Sequence, residues 1–461
     1  NDGGGSGGGS GGSHGGNGGG GGAVGGSGGA PQVLSWSAAT NVEMDPITGS
    51  YWPACAIDPT HGNVLVAWTK GDFPAVKRWD ATKKMWGATK ILDDRGSVQG
   101  AAVAMDDVGH ALVVWYQVDN NDPPADVKGI WFSHSEDGGV TWSAATRIHQ
   151  GPAWGDVALA IASDGQARVA WDETDGTTRS LWSASYSPAT KVFAGAAVVK
   201  TGSDAYERHA RMAMSPKGAG LLVWIQRDGG GHDSVWGSSF ATPGGALTTP
   251  VLVDANTTSD VYDATVAISA DGTRGTVGWD QAPSTSDEIW TADWTSAGFA
   301  TATRAVTGDG VAAPGLAVDG NYTVTMAWSQ MFASGKWNVV ASRRPTGAMW
   351  GTATPLETTN MAGSFTDQYA YPQAQSDAAG NVHVLWRRKI DAGNTYGVVV
   401  RRYSNATWEP EVVLGTKKGL EAFNEMLAVG ADGHAAASFF YGDPDGVGDA
   451  DAHQVFVALY K

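Results

Sequence analysis

The sequence predicts an all-β chain built as an eight-bladed β-propeller, and three observations carry that prediction. A short apolar run behind a tight turn recurs eight times: NVLVAW to Trp68, HALVVW to Trp115, QARVAW to Trp171, AGLLVW to Trp224, TRGTVGW to Trp279, YTVTMAW to Trp328, NVHVLW to Trp386, and HAAASFF, where Phe439 and Phe440 replace the Trp. Successive closures lie 47 to 58 residues apart, the period of a propeller blade and not of a helical solenoid unit. The eighth repeat stops after its third strand, HQVFVALYK, and its missing fourth stands at the other end of the chain, where WSAATNVEM from Trp36 matches WSAATRIHQ from Trp142. Such an N-terminal strand hides the two edges that an open ring would leave unpaired.

Each repeat has one internal order. A first run alternates small and apolar residues and ends in a turn such as ASDG (162–165) or SADG (269–272), where Gly or Asp tolerates positive φ. The Trp-ended run follows, then a variable loop, a third run such as SVWGSSF or EIWTADW, and a short polar run such as TTPVLVDAN. Four short β-branched and aromatic runs bounded by turn residues make one antiparallel blade. No segment keeps a helical period over three turns.

Two domains of unlike character follow. Residues 1–30 contain 19 glycines and too little apolar surface to offset the entropy of ordering, so they read as a flexible tether. Residues 31–461 read as one propeller domain of about 54 residues per blade.

A formal charge of -17 and a pI near 4.9 argue against nucleic acid and anionic membranes as partners. No run of 18 apolar residues exists, so no transmembrane segment is expected. Cys55 is the only cysteine, cannot form an internal disulfide, and reads as a buried inert thiol. With 21 Trp against 12 Tyr and 11 Phe, aromatic side chains remain to line surfaces after one Trp closes each blade.

The stretch Ser135-Glu136-Asp137-Gly138-Gly139-Val140-Thr141-Trp142 resembles the Asp-box, S-x-D-x-G-x-T-W, of sialidases and other BNR-repeat propellers, and it falls between the third and fourth strands of its repeat as in that superfamily. There the motif is a hairpin clasp: the Asp caps N–H groups of its own turn, Gly permits the bend, and the Trp packs beneath. Degenerate copies end at Trp86, Trp350 and Trp408. The resemblance implies the fold and not sialidase chemistry: no Arg-Ile-Pro motif is present, the familiar sialidase ring has six blades, and Arg208, Arg227, Arg387 and Arg388 match none of that family's motifs. A Gly/Ser tether ahead of a β-domain also resembles the spacer of bacterial surface lipoproteins. It implies a protein secreted by a bacterium, extracellular or at the outer-membrane surface, with a lipid anchor upstream of Asn1.

Propeller ligands meet the face where first strands begin and second strands end. Aligning the repeats on their turn glycines places Pro53, Gly100, Asp156, His209, Asp263, Tyr371 and Asn424 at the first-strand mouths, beside Trp52, Gln99, Trp154, Arg208, Tyr262 and Glu425. Asp172, Asp280 and Arg387 come just past the closing Trp, with Glu173, Gln281, Gln330 and Arg388 close behind. Aromatic faces beside acids and amides suit sugars, since the ring stacks on a pyranose while polar groups take its hydroxyls. A glycan or other extracellular polymer bound by a monomeric propeller is therefore the expected function.

Two rivals stand beside it. Polysaccharide lyases on propeller folds use a His or Tyr base with a carboxylate neutraliser, and His209 or Tyr371, Arg208 as an anion clamp, and the pair Asp156 and Asp263 loosely resemble that set. A glycoside hydrolase would use the same face. The other rival is a protein-interaction scaffold of a surface assembly, which needs an apolar patch on the rim. Asp443, Asp445, Asp449 and Asp451 concentrate four carboxylates in nine residues, open to two readings, a solvated acidic turn or a Ca2+ loop without the EF-hand's closing Glu.

Overall fold

A computed structural model describes residues 34–43, 49–119, 127–174, 176–202, 210–227, 231–254, 259–281, 287–308, 310–332, 337–357, 370–391, 395–442 and 453–461, apart from the side chains of 154–156. It shows eight antiparallel sheets, each built outward from a first strand. The first strands are Ser50–Ile57, Gly96–Met105, Ala153–Ile161, Arg211–Met214, Val261–Ile268, Val311–Val318, Gln373–Ser376 and Glu421–Val429. Each packs against the next, and the last packs against the first, so the ring closes. In blades one, five and seven the outermost position is shared by two short segments that both pair with the third strand.

Closure follows the expected route. Thr40–Asn41 pairs with Gln454–Tyr460 as the outer strand of blade eight, and Trp36 bridges to Tyr460. The tether, 1–30, and the acidic loop, 443–451, lie outside the described residues.

The core sits between neighbouring blades. Ala56, Leu65 and Val76 of blade one pack on Val98, Val113 and Trp115 of blade two, and Cys55 and Trp68 meet Ala436, Val455 and Leu459 of blade eight. All seven closing Trp side chains and Phe439 are fully buried. Each contributes about 2 to 3 kcal/mol through burial alone. Cys55 is buried as well, and desolvation pushes its thiol up to about 11, which leaves it a small hydrophobe at neutral pH.

The Ser135–Trp142 turn is held as a clasp. Asp137 Oδ1 accepts from the N–H of Val140 (3.0 Å) and Thr141 (2.8 Å), Ser135 Oγ accepts from Gly139 N–H (2.8 Å), and Trp142 Nε1 donates to Gly139 O (3.1 Å).

Candidate functional site

Six of the eight first strands share one irregularity at one level. Their pairing with the second strand slips between Tyr51 and Ala54, Gln99 and Ala101, Trp154 and Ala158, Val261 and Ala264, Ala312 and Gly315, and Phe423 and Met426. Every slip lies at or next to the buried closing aromatic of its blade. A β-bulge there leaves residues unpaired and re-aims their side chains. The backbone turns left-handed at Trp52 (φ 49°), Gly100 (60°), Ala313 (52°), Tyr371 (41°) and Asn424 (48°). Only the glycine adopts that conformation without cost; a bulky residue held there stores about 1 to 3 kcal/mol of strain, as functional sites do.

Three aromatic side chains stand out from this level into solvent: Trp52 (40 % exposed), Tyr262 (55 %) and Tyr371 (41 %). Phe332 and Met331, at the end of blade six's second strand, add apolar surface on the same face. The polar residues expected beside them are placed differently. Asp172, Asp280, Arg387 and Glu425 are all buried.

In blades five, six and seven the position after the closing Trp stitches one blade to the next. Asp280 Oδ1 accepts the N–H of Asp263, at 2.8 Å, in its own bulge, and its carboxylate also accepts from the Ala313 N–H in the bulge of blade six. Ser329 Oγ accepts from Ala370 N–H of blade seven at 2.9 Å, and Arg387 Nη1 donates to Ala422 O of blade eight at 3.0 Å. Burial and the neighbouring Asp263 push the Asp280 carboxyl up to about 7. Asp263 itself is half-buried.

Arg387 links the two residues expected as ligands in blades seven and eight. Its guanidinium lies 5.5 Å from the ring centroids of both Tyr371 and Phe423, and its Nε is 3.8 Å from Glu425 Oε1. Burial raises the Glu425 pKa, and the charge of Arg387 pulls it partly back. Tyr371, the strained exposed aromatic, thus lies against a buried cation, which in turn faces the carboxyl of Glu425. Around Tyr262 the field is acidic: burial raises its phenol, and Asp260, Asp280, Asp287 and Asp233 raise it further.

Arg208 and His209 lie outside the described residues, as do Asp443, Asp445, Asp449 and Asp451. Trp154 and Asp156 are placed at the bulge of blade three by backbone alone, with Trp154 in register with Asp172. Among the described residues no cluster of three or more His, Cys, Asp or Glu side chains is arranged to hold a metal.

The second position after the closing Trp, grouped by sequence with the ligand ring, serves the Trp itself. Gln117, Glu173, Gln226 and Gln330 each accept the indole N–H of their own blade, at 2.7, 2.8, 3.1 and 3.3 Å. In blade one that position is Lys70, and Glu43 from the closing strand takes the Trp68 N–H (3.0 Å) and the lysine (2.9 Å) together. The recurring Trp-x-Gln/Glu spacing was the available signal. Arg388 is likewise internal, bonded to Glu411 and 3.6 Å from Glu357, whose carboxyl burial pushes up to about 7.

No protein-family model and no curated protein matches this sequence. Solved structures share its shape. An ulvan lyase, representing a polysaccharide lyase family, superposes with a TM-score of 0.50 at 9 % identity, covering 89 % of this chain and 93 % of its own. A Dyadobacter fermentans protein described as of unknown function covers 93 % of this chain and 99 % of its own at 13 % identity, with a TM-score of 0.46. The NanB sialidase of Streptococcus pneumoniae gives 8 % identity, 87 % and 83 % coverage and a TM-score of 0.41. The ulvan lyase likeness, at 9 % identity, speaks for the propeller fold alone. Among the described residues no helix is long and apolar enough to cross a membrane.

Proposed function

We propose that this propeller binds a glycan or similar hydroxyl-rich polymer across its bulge face. One observation carries the reading: Trp52, Tyr262 and Tyr371 are held exposed at the first-strand mouths of three blades, two of them in left-handed backbone that costs stability. Sugars are the polymers that reward spaced aromatic platforms with polar surroundings. The acidic surroundings of Tyr262 favour neutral sugar units in that sector.

A second reading rests on the Tyr371, Arg387 and Glu425 group. A polysaccharide lyase abstracts a proton beside a uronate carboxylate, and Tyr371 in front of a buried cation supplies a candidate base with a charge behind it. The shared fold of an ulvan lyase supports this alternative. The Ser135–Trp142 clasp supports assignment as an Asp-box, and we take the Gly-rich N-terminal stretch as a surface tether of a secreted, lipid-anchored protein.

The test is a glycan and polysaccharide array probed with the intact chain, with and without calcium, followed by titration of the best ligand. Changing Trp52, Tyr262 or Tyr371 to Ala is expected to weaken binding about tenfold or more each. A blank array, or affinity untouched by all three changes, overturns the reading. Unsaturated uronate products from the bound polymer, lost in Tyr371→Phe, would move the assignment to lyase.

A further inference from the structure

A separate groove lies on the opposite side of the ring, between the outer strands of blades six and seven. It is open to solvent, offers about 410 Å³, and is lined by Arg343 and Ser342 of the third strand of blade six, Thr352 and Thr354 beyond it, and Tyr403, Thr407 and Trp408 of the blade-seven hairpin. That volume falls within the roughly 300 to 1,000 Å³ typical of small-molecule sites.

The seam between blades one and two shows why it is open. There the hairpin closed by Ser143 N–H on His134 O reaches across to blade one, where Gly138 O accepts from Arg78 Nε at 2.9 Å. Gly139 presses so closely on Leu65 that an added Cβ would sit 2.4 Å from its methyl. In blade seven the corresponding hairpin, closed by Glu409 N–H on Arg402 O, is two residues shorter. Its floor is also different, because register puts Arg343 opposite Thr325 where Arg78 stands opposite Leu65. A polar, unfilled slot replaces an apolar, filled one.

What remains defines the occupant. Arg343 is consumed internally: Nε donates to Thr325 Oγ1 (3.0 Å), Nη2 pairs with Asp319 (3.2 Å), and the guanidinium lies over the Tyr403 ring at 4.0 Å. The groove's single charged lining residue is therefore neutralised, and an ionic ligand gains nothing there. Tyr403 and Trp408 meet edge to face at 5.2 Å, and both are half-buried, while Thr352, Thr354 and Thr407 are exposed at the rim. An aromatic wall facing hydroxyls without net charge suits an uncharged pyranose.

We infer that the seam between blades six and seven is a second saccharide site, taking one neutral sugar unit against Trp408, with its hydroxyls on Thr352, Thr354 and Thr407. It is independent of the bulge face.

The experiment labels the intact chain with 5-fluorotryptophan, assigns the Trp408 resonance through Trp408→Phe, and titrates with methyl β-D-glucopyranoside, methyl α-L-fucopyranoside, N-acetylglucosamine and cellobiose. At least one probe is expected to shift that resonance, with affinity falling about tenfold or more in Thr354→Trp, which fills the groove from an exposed rim position. Thr354→Trp leaves the packing of Trp408 in place, so the site is tested in a chain that folds. Absence of any shift at Trp408, or a shift unchanged in Thr354→Trp, overturns the site.

Discussion

On the face where first strands turn into second strands, buried aspartates tie down backbone. Asp106 Oδ1 accepts from the N–H groups of Val108, Gly109 and His110 at 2.8 to 3.0 Å, and Asp58, Asp319 and Asp377 cap the same turn in their blades. On the opposite face the backbone is bulged, strained at Trp52 and Tyr371, and backed by the buried carboxyls of Asp280 and Glu425. The contrast is sharp in one residue type. Burial works against the charge of both Asp58 and Asp280; at Asp58 the N–H of Thr60 and the groups of Asn63 and His61 outweigh it and hold the pKa below its usual value, whereas at Asp280 the neighbouring Asp263 adds to burial and the pKa rises to about 7. The turn face is arranged for stability, and the bulge face gives stability up.

The largest expected effect tests the turn face in acid. His383 is wholly buried against Trp36 (5.6 Å) and Tyr460 (4.9 Å), at the seam where the chain ends close the ring. Burial, helped by the charge of Arg402, lowers its pKa from 6.5 to about 3. Between those values the unfolded chain holds a proton that the fold refuses, so stability is complete above pH 6.5 and falls as pH drops toward 3. Urea denaturation from pH 6.5 to about 4 is expected to show a loss of roughly 3 kcal/mol that His383→Leu abolishes. An unchanged slope in the variant would assign the loss elsewhere.

The bulge face titrates the other way. Asp280 keeps its proton in the fold up to about 7, so its contribution is full below 3.8 and is lost as pH rises through 7. Asp280→Asn, which retains the acceptor for Asp263 N–H, is expected to stabilise the protein by about 2 kcal/mol at pH 8 and to make no difference near pH 4. Denaturation midpoints at the two pH values decide it.

Asp106→Ala is expected to cost about 1.5 kcal/mol by removing the acceptor that three turn N–H groups share. Glycan affinity should not move, since the residue lies on the far face. A change in affinity would break the division between faces.

The smallest effect runs against intuition. Trp52→Gly is expected to raise stability by about 1 kcal/mol, by relieving left-handed strain, while removing a binding platform. Thermal denaturation beside array binding reads both, and a loss in stability would show that Trp52 packs more than it strains.

Much of this was legible from the chain. The Trp-ended runs located every second strand, and the match between Trp36 and Trp142 located the closing strand, because burial on both faces of a blade leaves a strong apolar signature. The mouths of the first strands were also found, but not the direction of their side chains. Alternation fails at a bulge, so Tyr262 emerges while Glu425, on the bulge of blade eight, turns inward. Asp280 and Arg387 looked like ligands because a polar residue at a strand end reads as solvated; that each reaches sideways into the next blade depends on contacts between residues distant in sequence. The blade-seven groove was invisible for the same reason, since the shorter hairpin matters only beside Thr325 of another blade.

Ring closure by the chain's two ends sets an order in time. Seven blades are made of hairpins whose partners are near in sequence, and these can form as soon as each stretch is available. The eighth needs Asn41 beside Gln454, a side-chain bond of 2.8 Å between residues 413 apart. Loop-closure entropy makes that contact the slowest to reward, so a nearly finished molecule must wait with the outer edge of the Gln454–Tyr460 strand unpaired. During that interval the edge is open to any strand that fits, including Thr40–Asn41 of another copy, and exchange of this strand between molecules is the failure this architecture invites.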